Sequence, residues 1–285
     1  MTALPAEPLP GTDGTPGAGR IRAAFAAARA AGRIALVPYV VAGYPDPSTS
    51  LAAALAAVDA GADLLEIGLP FSDPLADGPT LQRAAAAALR AGATFETSLR
   101  LIEAVAARAP GLPLVPMGYA NQLAGPGDPA ARLRRLVEAG ASGCIVADLT
   151  PDEGAPFEAA ARAAGLGLVY LVAPTTPPAR RIAIARRTGG FLYCVSLVGV
   201  TGARSRLPAG LRRLVGDVVA VSPVPVAVGF GVSRERHVVA IAEAGADGVV
   251  VASALVDALG PEGRDVAAMG RLVARLAAAT RVGGR

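Results

Sequence analysis

Eight apolar runs recur along the chain at nearly even spacing: Ile34–Val41, Asp63–Gly68, Leu112–Met117, Gly143–Asp148, Gly167–Ala173, Gly190–Ser196, Val224–Phe230 and Asp247–Ala252. They are almost continuously hydrophobic and lack the polar alternation of a half-exposed strand. Strands of that kind must be covered on both faces, as parallel strands are. Helical patterns fill the gaps near 48–61, 80–108, 129–140, 152–164, 178–188, 208–220 and 233–244, and a last helix or pair runs from about 253 to 281. One phrase repeats: Asp59-Ala-Gly-Ala-Asp, Glu138-Ala-Gly-Ala-Ser and Glu243-Ala-Gly-Ala-Asp, with a weaker copy at Ala164-Gly165-Leu166-Gly167. Each reads as a helix C-terminus, a glycine able to turn left-handed, then a buried strand. Eight β/α units without a hairpin signal predict an α/β fold, a single (β/α)8 TIM barrel. An open doubly wound sheet is the alternative. Against it, no Gly-x-Gly-x-x-Gly follows the first run, and the spacing stays even to the end.

The 285 residues suit one barrel plus a tail. Residues 1–19 are rich in Pro, Gly and Thr and are expected to be a disordered N-terminal extension, with the barrel catalytic domain at 20–285. Ile21 to Ala31 reads as a short Ala-rich helix. Much of the high apolar fraction of 53% is alanine. The best membrane candidate, Val218 to Val232, contains Ser222, Pro223 and Pro225 and is shorter than the ~20 residues a span needs. The N-terminus has neither the basic start nor the apolar core of a signal peptide. Cys144 and Cys194, without a CxxC, support neither a disulfide framework nor a zinc knuckle. A cytoplasmic protein is expected, with no membrane association.

Two absences restrict the chemistry. All 27 basic residues are arginine, and the one histidine is His237. Without a lysine amine the chain cannot form a Schiff base. With one histidine, a zinc hydrolase or metal-dependent aldolase site is not expected. The net charge is +4, but aromatics are only 4% and the pairs Arg134-Arg135, Arg186-Arg187 and Arg212-Arg213 fall on expected helices. They read as solvated outer faces, so no nucleic-acid partner is expected.

In a barrel, chemistry sits at the C-terminal ends of the strands and in the loops that follow. The second run ends Leu64-Leu65-Glu66-Ile67-Gly68. A carboxylate inside an apolar strand is costly unless it is paired or protonated, so Glu66 is either an ion-pair partner or a tuned acid/base. Asp73 and Asp77 lie in the Pro- and Gly-fixed loop beyond it, where a turn or N-cap role is the structural alternative. Small-residue loops follow three later strands: Gly199-Val200-Thr201-Gly202, Gly229-Phe230-Gly231 and Ala252-Ser253-Ala254. Such loops let backbone N–H groups close on an anion, and they equally serve as tight turns. Tyr193 reads as a core aromatic whose hydroxyl reaches the rim. His237 reads as a surface or packing residue, and the two cysteines as buried strand residues.

Taken together, Glu66-Ile-Gly-Leu-Pro-Phe-Ser-Asp-Pro-Leu-Ala-Asp-Gly-Pro-Thr80 closely resembles the signature of the tryptophan synthase α chain family. So do Pro38-Tyr39 through Gly43-Tyr44-Pro45-Asp46, Tyr119-Ala120-Asn121, Ala147-Asp148-Leu149, Ala173-Pro174-Thr175 and the three small-residue loops, over about residues 21–280. The resemblance implies retro-aldol cleavage of indole-3-glycerol phosphate to indole and glyceraldehyde 3-phosphate. Glu66 matches the catalytic glutamate, Asp77 the aspartate that holds the indole N–H, and Tyr193 a tyrosine beside the glutamate. Gly202, Gly231, Ala252 and Ser253 match phosphate-binding positions. Tyr39, Met117, Ile145 and Phe230 match positions near the indole, and Thr201 falls in a lid.

The same resemblance implies an α2β2 hetero-tetramer with a β chain. Pyridoxal phosphate is expected only in that β chain and no cofactor in this one. The partner surface is expected around the barrel mouth, including the loops after strands 2 and 6. A stand-alone lyase and a catalytically silent scaffold are the competing readings. The sequence departs from the family pattern at Ala252, where glycine is usual, at Val198, and at Met117-Gly118, where a bulkier pair is expected. An alanine at 252 needs a negative φ or some strain.

Overall fold

The computed structural model describes residues 11–125, 127–195, 210–229 and 231–281. Each of the eight runs holds one strand: β1 Ala35–Val41, β2 Leu65–Gly68, β3 Leu114–Gly118, β4 Gly143–Val146, β5 Gly167–Val169 continued by Leu171–Val172, β6 Leu192–Val195, β7 Val226–Gly229 and β8 Gly248–Val251. All pairings are parallel. Neighbours follow chain order from β1 to β5, and β8 returns to β1. The first half of β5 pairs with β4 and the second with β6, so the sheet closes into a barrel through Tyr170.

Alternation along each strand divides the core in two. On β1, Ala35, Val37, Tyr39 and Val41 turn into the barrel, while Leu36 and Val40 pack outward beneath the helices. Outward residues of other strands, among them Leu65, Ile67, Leu114, Cys144, Leu168 and Cys194, join the same outer layer. Two-sided burial of this kind is why the strands show no polar alternation.

The recurring phrase is now explained. Its glycines Gly61, Gly140 and Gly245 have φ of 105°, 107° and 94°. The acids that close two copies then brace the neighbouring strand: Asp63 accepts from Leu36 N at 2.9 Å and Asp247 from Val226 N at 2.8 Å. Arg33 pairs with Asp63 and Arg29 with Asp247. Helix starts follow an equally simple rule. Pro16, Pro47, Pro79, Pro129 and Pro178 each open a helix, where a missing N–H costs nothing and φ is already set.

The expected disordered extension 1–19 is corrected for its described part. Residues 1–10 lie outside the described residues, but the first helix begins at Pro16, not Ile21, and runs to Ala30. Thr15 caps it by accepting from Ala18 N. Thr12 is fully buried and accepts from Leu168 N at 2.8 Å. A Thr-Pro capping signal inside a Pro/Gly-rich stretch is easily read as linker. The helix is the barrel's floor: Ile21, Phe25 and Ala28 join the interior cluster, with Phe25 against Phe191 at 5.6 Å between ring centroids.

The expected helical stretch 80–108 is two helices, Pro79–Arg90 and Phe95–Arg108, split at Gly92, where φ is 88°. The last stretch is a pair, Ser253–Ala258 and Val266–Ala278. A five-residue helix, Ala120–Ala124, follows β3. Among the described residues no helix is long and apolar enough to cross a membrane.

Candidate active site

Glu66 is the only charged residue in any described strand. Leu65 and Ile67 on either side of it pack outward, so the period-two geometry of β2 turns Glu66 into the barrel. It lies in register with Tyr39 on β1 and Val115 on β3. The side chain is 1% exposed, and its Oε2 has no hydrogen-bond partner. Burial, reinforced by the negative charge of Asp77, raises its carboxyl to about 8.

Asp77 arrives from the loop that follows β2. Its backbone N–H donates to Pro74 O at 3.0 Å, and Gln82 Nε2 donates to Asp77 O at 2.9 Å. Gly78, not Asp77, stands at the N-cap of the next helix, which leaves the Asp77 carboxylate free of a capping role. Burial raises that carboxyl to about 6, and a hydrogen bond from Tyr119 restrains the rise. The same phenol oxygen accepts from Ala76 N at 3.0 Å, and the Tyr119 ring stacks on Phe71 at 5.1 Å.

Two tyrosines complete the inner wall. A side chain at Gly68 would overlap the Tyr39 hydroxyl at 1.8 Å, and one at Gly229 the Tyr193 hydroxyl at 2.2 Å. Both strands therefore end in glycine where a phenol lies across them. Burial and the two nearby carboxylates keep both phenols protonated well above their ordinary range.

A single cleft, about 440 Å³ including its open mouth, is lined by Tyr39, Glu66, Asp77, Met117, Tyr193, Gly231, Ala252 and Ser253. The carboxylates are joined there by three small residues from the ends of β7 and β8, with Ser253 opening a helix. Ala252 has φ −119°, so the alanine departure requires no left-handed backbone.

Of the residues expected from the sequence, Ile145 is fully buried in the interior cluster and is not part of the cleft lining. Thr201, Gly202 and Phe230 lie outside the described residues, as does the departure at Val198. Leu81, Val232 and Val250 also line the cleft. They, with Gln82, were missed by sequence reasoning, and Tyr119 was quoted only as part of a family motif, without a role. The apolar or loop-holding roles of the missed residues leave no motif.

Elsewhere, His237 is 2% exposed and its Nδ1 accepts from Ser233 N at 3.2 Å, a packing and turn role. Arg187 is corrected: it is not a solvated outer-face residue. Its Nε donates to the fully buried Glu158 at 2.7 Å, and Glu158 also accepts from the Tyr170 hydroxyl at 2.7 Å.

The family model described as tryptophan synthase alpha chain matches residues 25–280. A tryptophan synthase alpha chain from a Roseiflexus species is 47% identical over 253 residues, 87% of this chain and 95% of the relative. One from Gloeobacter violaceus is 46% identical over 243 residues, covering 85% of this chain and 87% of its own. Among solved structures, tryptophan synthase from Mycobacterium tuberculosis superposes with a TM-score of 0.84 at 42% identity, covering 93% of this chain and 99% of that one. Tryptophan synthase subunit alpha from Legionella pneumophila gives 0.83 at 32% identity, covering 92% and 98%.

Proposed function

This chain belongs to the tryptophan synthase alpha chain family, and from that premise we propose how its cleft carries out the reaction. The chain is a carbon–carbon lyase of tryptophan biosynthesis, cleaving indole-3-glycerol phosphate to indole and glyceraldehyde 3-phosphate. The observation that supports our residue roles best is the inward turn of Glu66, the one charged side chain of the described strands, into a cleft shared with Asp77.

At neutral pH the two carboxyls differ in state: Glu66, raised to about 8, is mostly protonated, and Asp77, at about 6, is mostly ionised. Glu66 gives its proton to C3 of the indole ring. The resulting indoleninium cation is the electron sink, so the step calls for no imine. Asp77 accepts the ring N–H and stabilises the positive charge. Glu66, now a carboxylate, takes the proton of the hydroxyl beside the scissile bond. The O–H pair becomes the aldehyde C=O, the C–C pair returns to the ring, and Glu66 ends protonated. Tyr39, Met117 and Tyr193 enclose the ring, and Gly231, Ala252 and Ser253 hold the phosphate with backbone N–H groups and a hydroxyl.

A β chain is the partner, as an α2β2 assembly, with pyridoxal phosphate held by the β chain and no cofactor in this one. Leu75, 92% exposed on the loop that carries Asp77, supports docking at the barrel mouth.

The test is indole release from indole-3-glycerol phosphate by the purified chain, alone and with a β chain added. Slow release that rises sharply on addition is expected. Fast release unaffected by the β chain would favour a stand-alone lyase, and none in either condition would favour a silent scaffold.

A further inference from the structure

The loop from Leu69 to Gly78 is held at both ends by one short segment after β3. At the far end, Ala76 N donates to the Tyr119 hydroxyl at 3.0 Å, and that hydroxyl also favours the ionised Asp77 carboxylate. At the near end, Gln122 Nε2 donates to Pro70 O at 2.9 Å. The segment is itself fixed from two sides: Ala120 N donates to Asp148 at 2.7 Å, and Arg132 Nη1 donates to Gln122 O at 2.7 Å.

Gln122 reaches Pro70 across a space that a side chain at 118 would fill. A Cβ on Gly118 would lie 2.7 Å from Gln122 Oε1. That oxygen is buried and has no partner of its own, so the amide is retained for its donor end. The small residue at 118 and the amide at 122 form one device.

We propose that Gln122 is a positioning residue for Asp77: its amide latches the Pro70 end of the strand-2 loop, and Gly118 makes the room for it. The latch rests on the role assigned to Asp77 above. Fixing both ends of the loop holds the Asp77 carboxylate at the distance and angle that the ring N–H requires, and small misplacements of such a group are expensive.

The test measures indole release by the full-length chain with and without Gln122→Met, in the wild-type and Asp77→Ala backgrounds, together with the pH profile of kcat/KM. Gln122→Met keeps the length of the side chain and removes the donor. It is expected to lower turnover about tenfold in the wild type and less than about twofold once Asp77 is gone, because coupled residues are not additive. The acidic limb of the profile is expected to move up by about half a pH unit, since a displaced Asp77 loses part of the Tyr119 hydrogen bond that favours its ionised form. The same loss in both backgrounds, or an unmoved acidic limb, would overturn the latch alone. Wild-type turnover of Asp77→Ala would overturn the role of Asp77 and the latch with it. If Gln122→Met does not fold, as judged by its thermal transition, Gln122→Ser carries the same expectations.

Discussion

Glu66 and Asp77 face one cleft with carboxyls that titrate apart, Glu66 at about 8 and Asp77 at about 6. The pH dependence of the reaction follows. Below pH 6 Asp77 takes up a proton and loses the charge that stabilises the ring cation. Above pH 8 Glu66 gives up the proton it must deliver to C3. The kcat/KM for indole release is therefore expected to be bell-shaped, with an acidic limb near 6 and a basic limb near 8. Asp77→Asn should lower the maximum, abolish the acidic limb and move the basic limb down, because the charge that helps raise Glu66 is gone. Steady-state rates from pH 5 to 9 check this.

The Tyr119 hydroxyl accepts from Ala76 N on the loop and lowers the Asp77 carboxyl from where burial alone would put it. Its hydrogen bond favours the ionised acid, so Tyr119→Phe is expected to raise the acidic limb and lower kcat/KM about tenfold. The stability cost should be small, about 1 kcal/mol, because the ring and its stack on Phe71 remain. The two effects are read from a pH profile and a urea melt on the same protein.

How far these groups could be found in advance depended on what each does locally. Glu66 was legible because a charge in an apolar strand breaks the pattern, whereas Asp77 in its Pro- and Gly-fixed loop reads equally as a turn or N-cap residue and was marked only by the family resemblance. The strands were legible because burial on both faces removes polar alternation. The floor helix was not fully legible: Gly17 lies against Ser142 O, where a Cβ would fall at 2.0 Å, and a tertiary contact of that kind gives glycine a purpose that sequence reads as linker. Arg187 was misjudged for the same reason. It looks like a surface charge on its own helix, and only the packing against the preceding helix brings it to Glu158.

That buried pair makes its own prediction. Arg187→Met leaves Glu158, fully buried, with the Tyr170 hydroxyl and no charge partner among the described residues. Destabilisation of about 3–5 kcal/mol is expected, as for other buried pairs broken on one side. Glu158→Gln, which keeps an acceptor for Tyr170 and buries no charge, should cost less. Thermal and denaturant melts of the two variants rank them.

The most direct test of the account is the rate of indole formation from indole-3-glycerol phosphate by Glu66→Gln, measured beside the wild type with phosphate-ligand binding followed in parallel. Glutamine keeps the volume and cannot deliver or take the proton. The account predicts a fall of about 10²–10⁴-fold in turnover with ligand binding retained. Turnover near the wild-type value would contradict it.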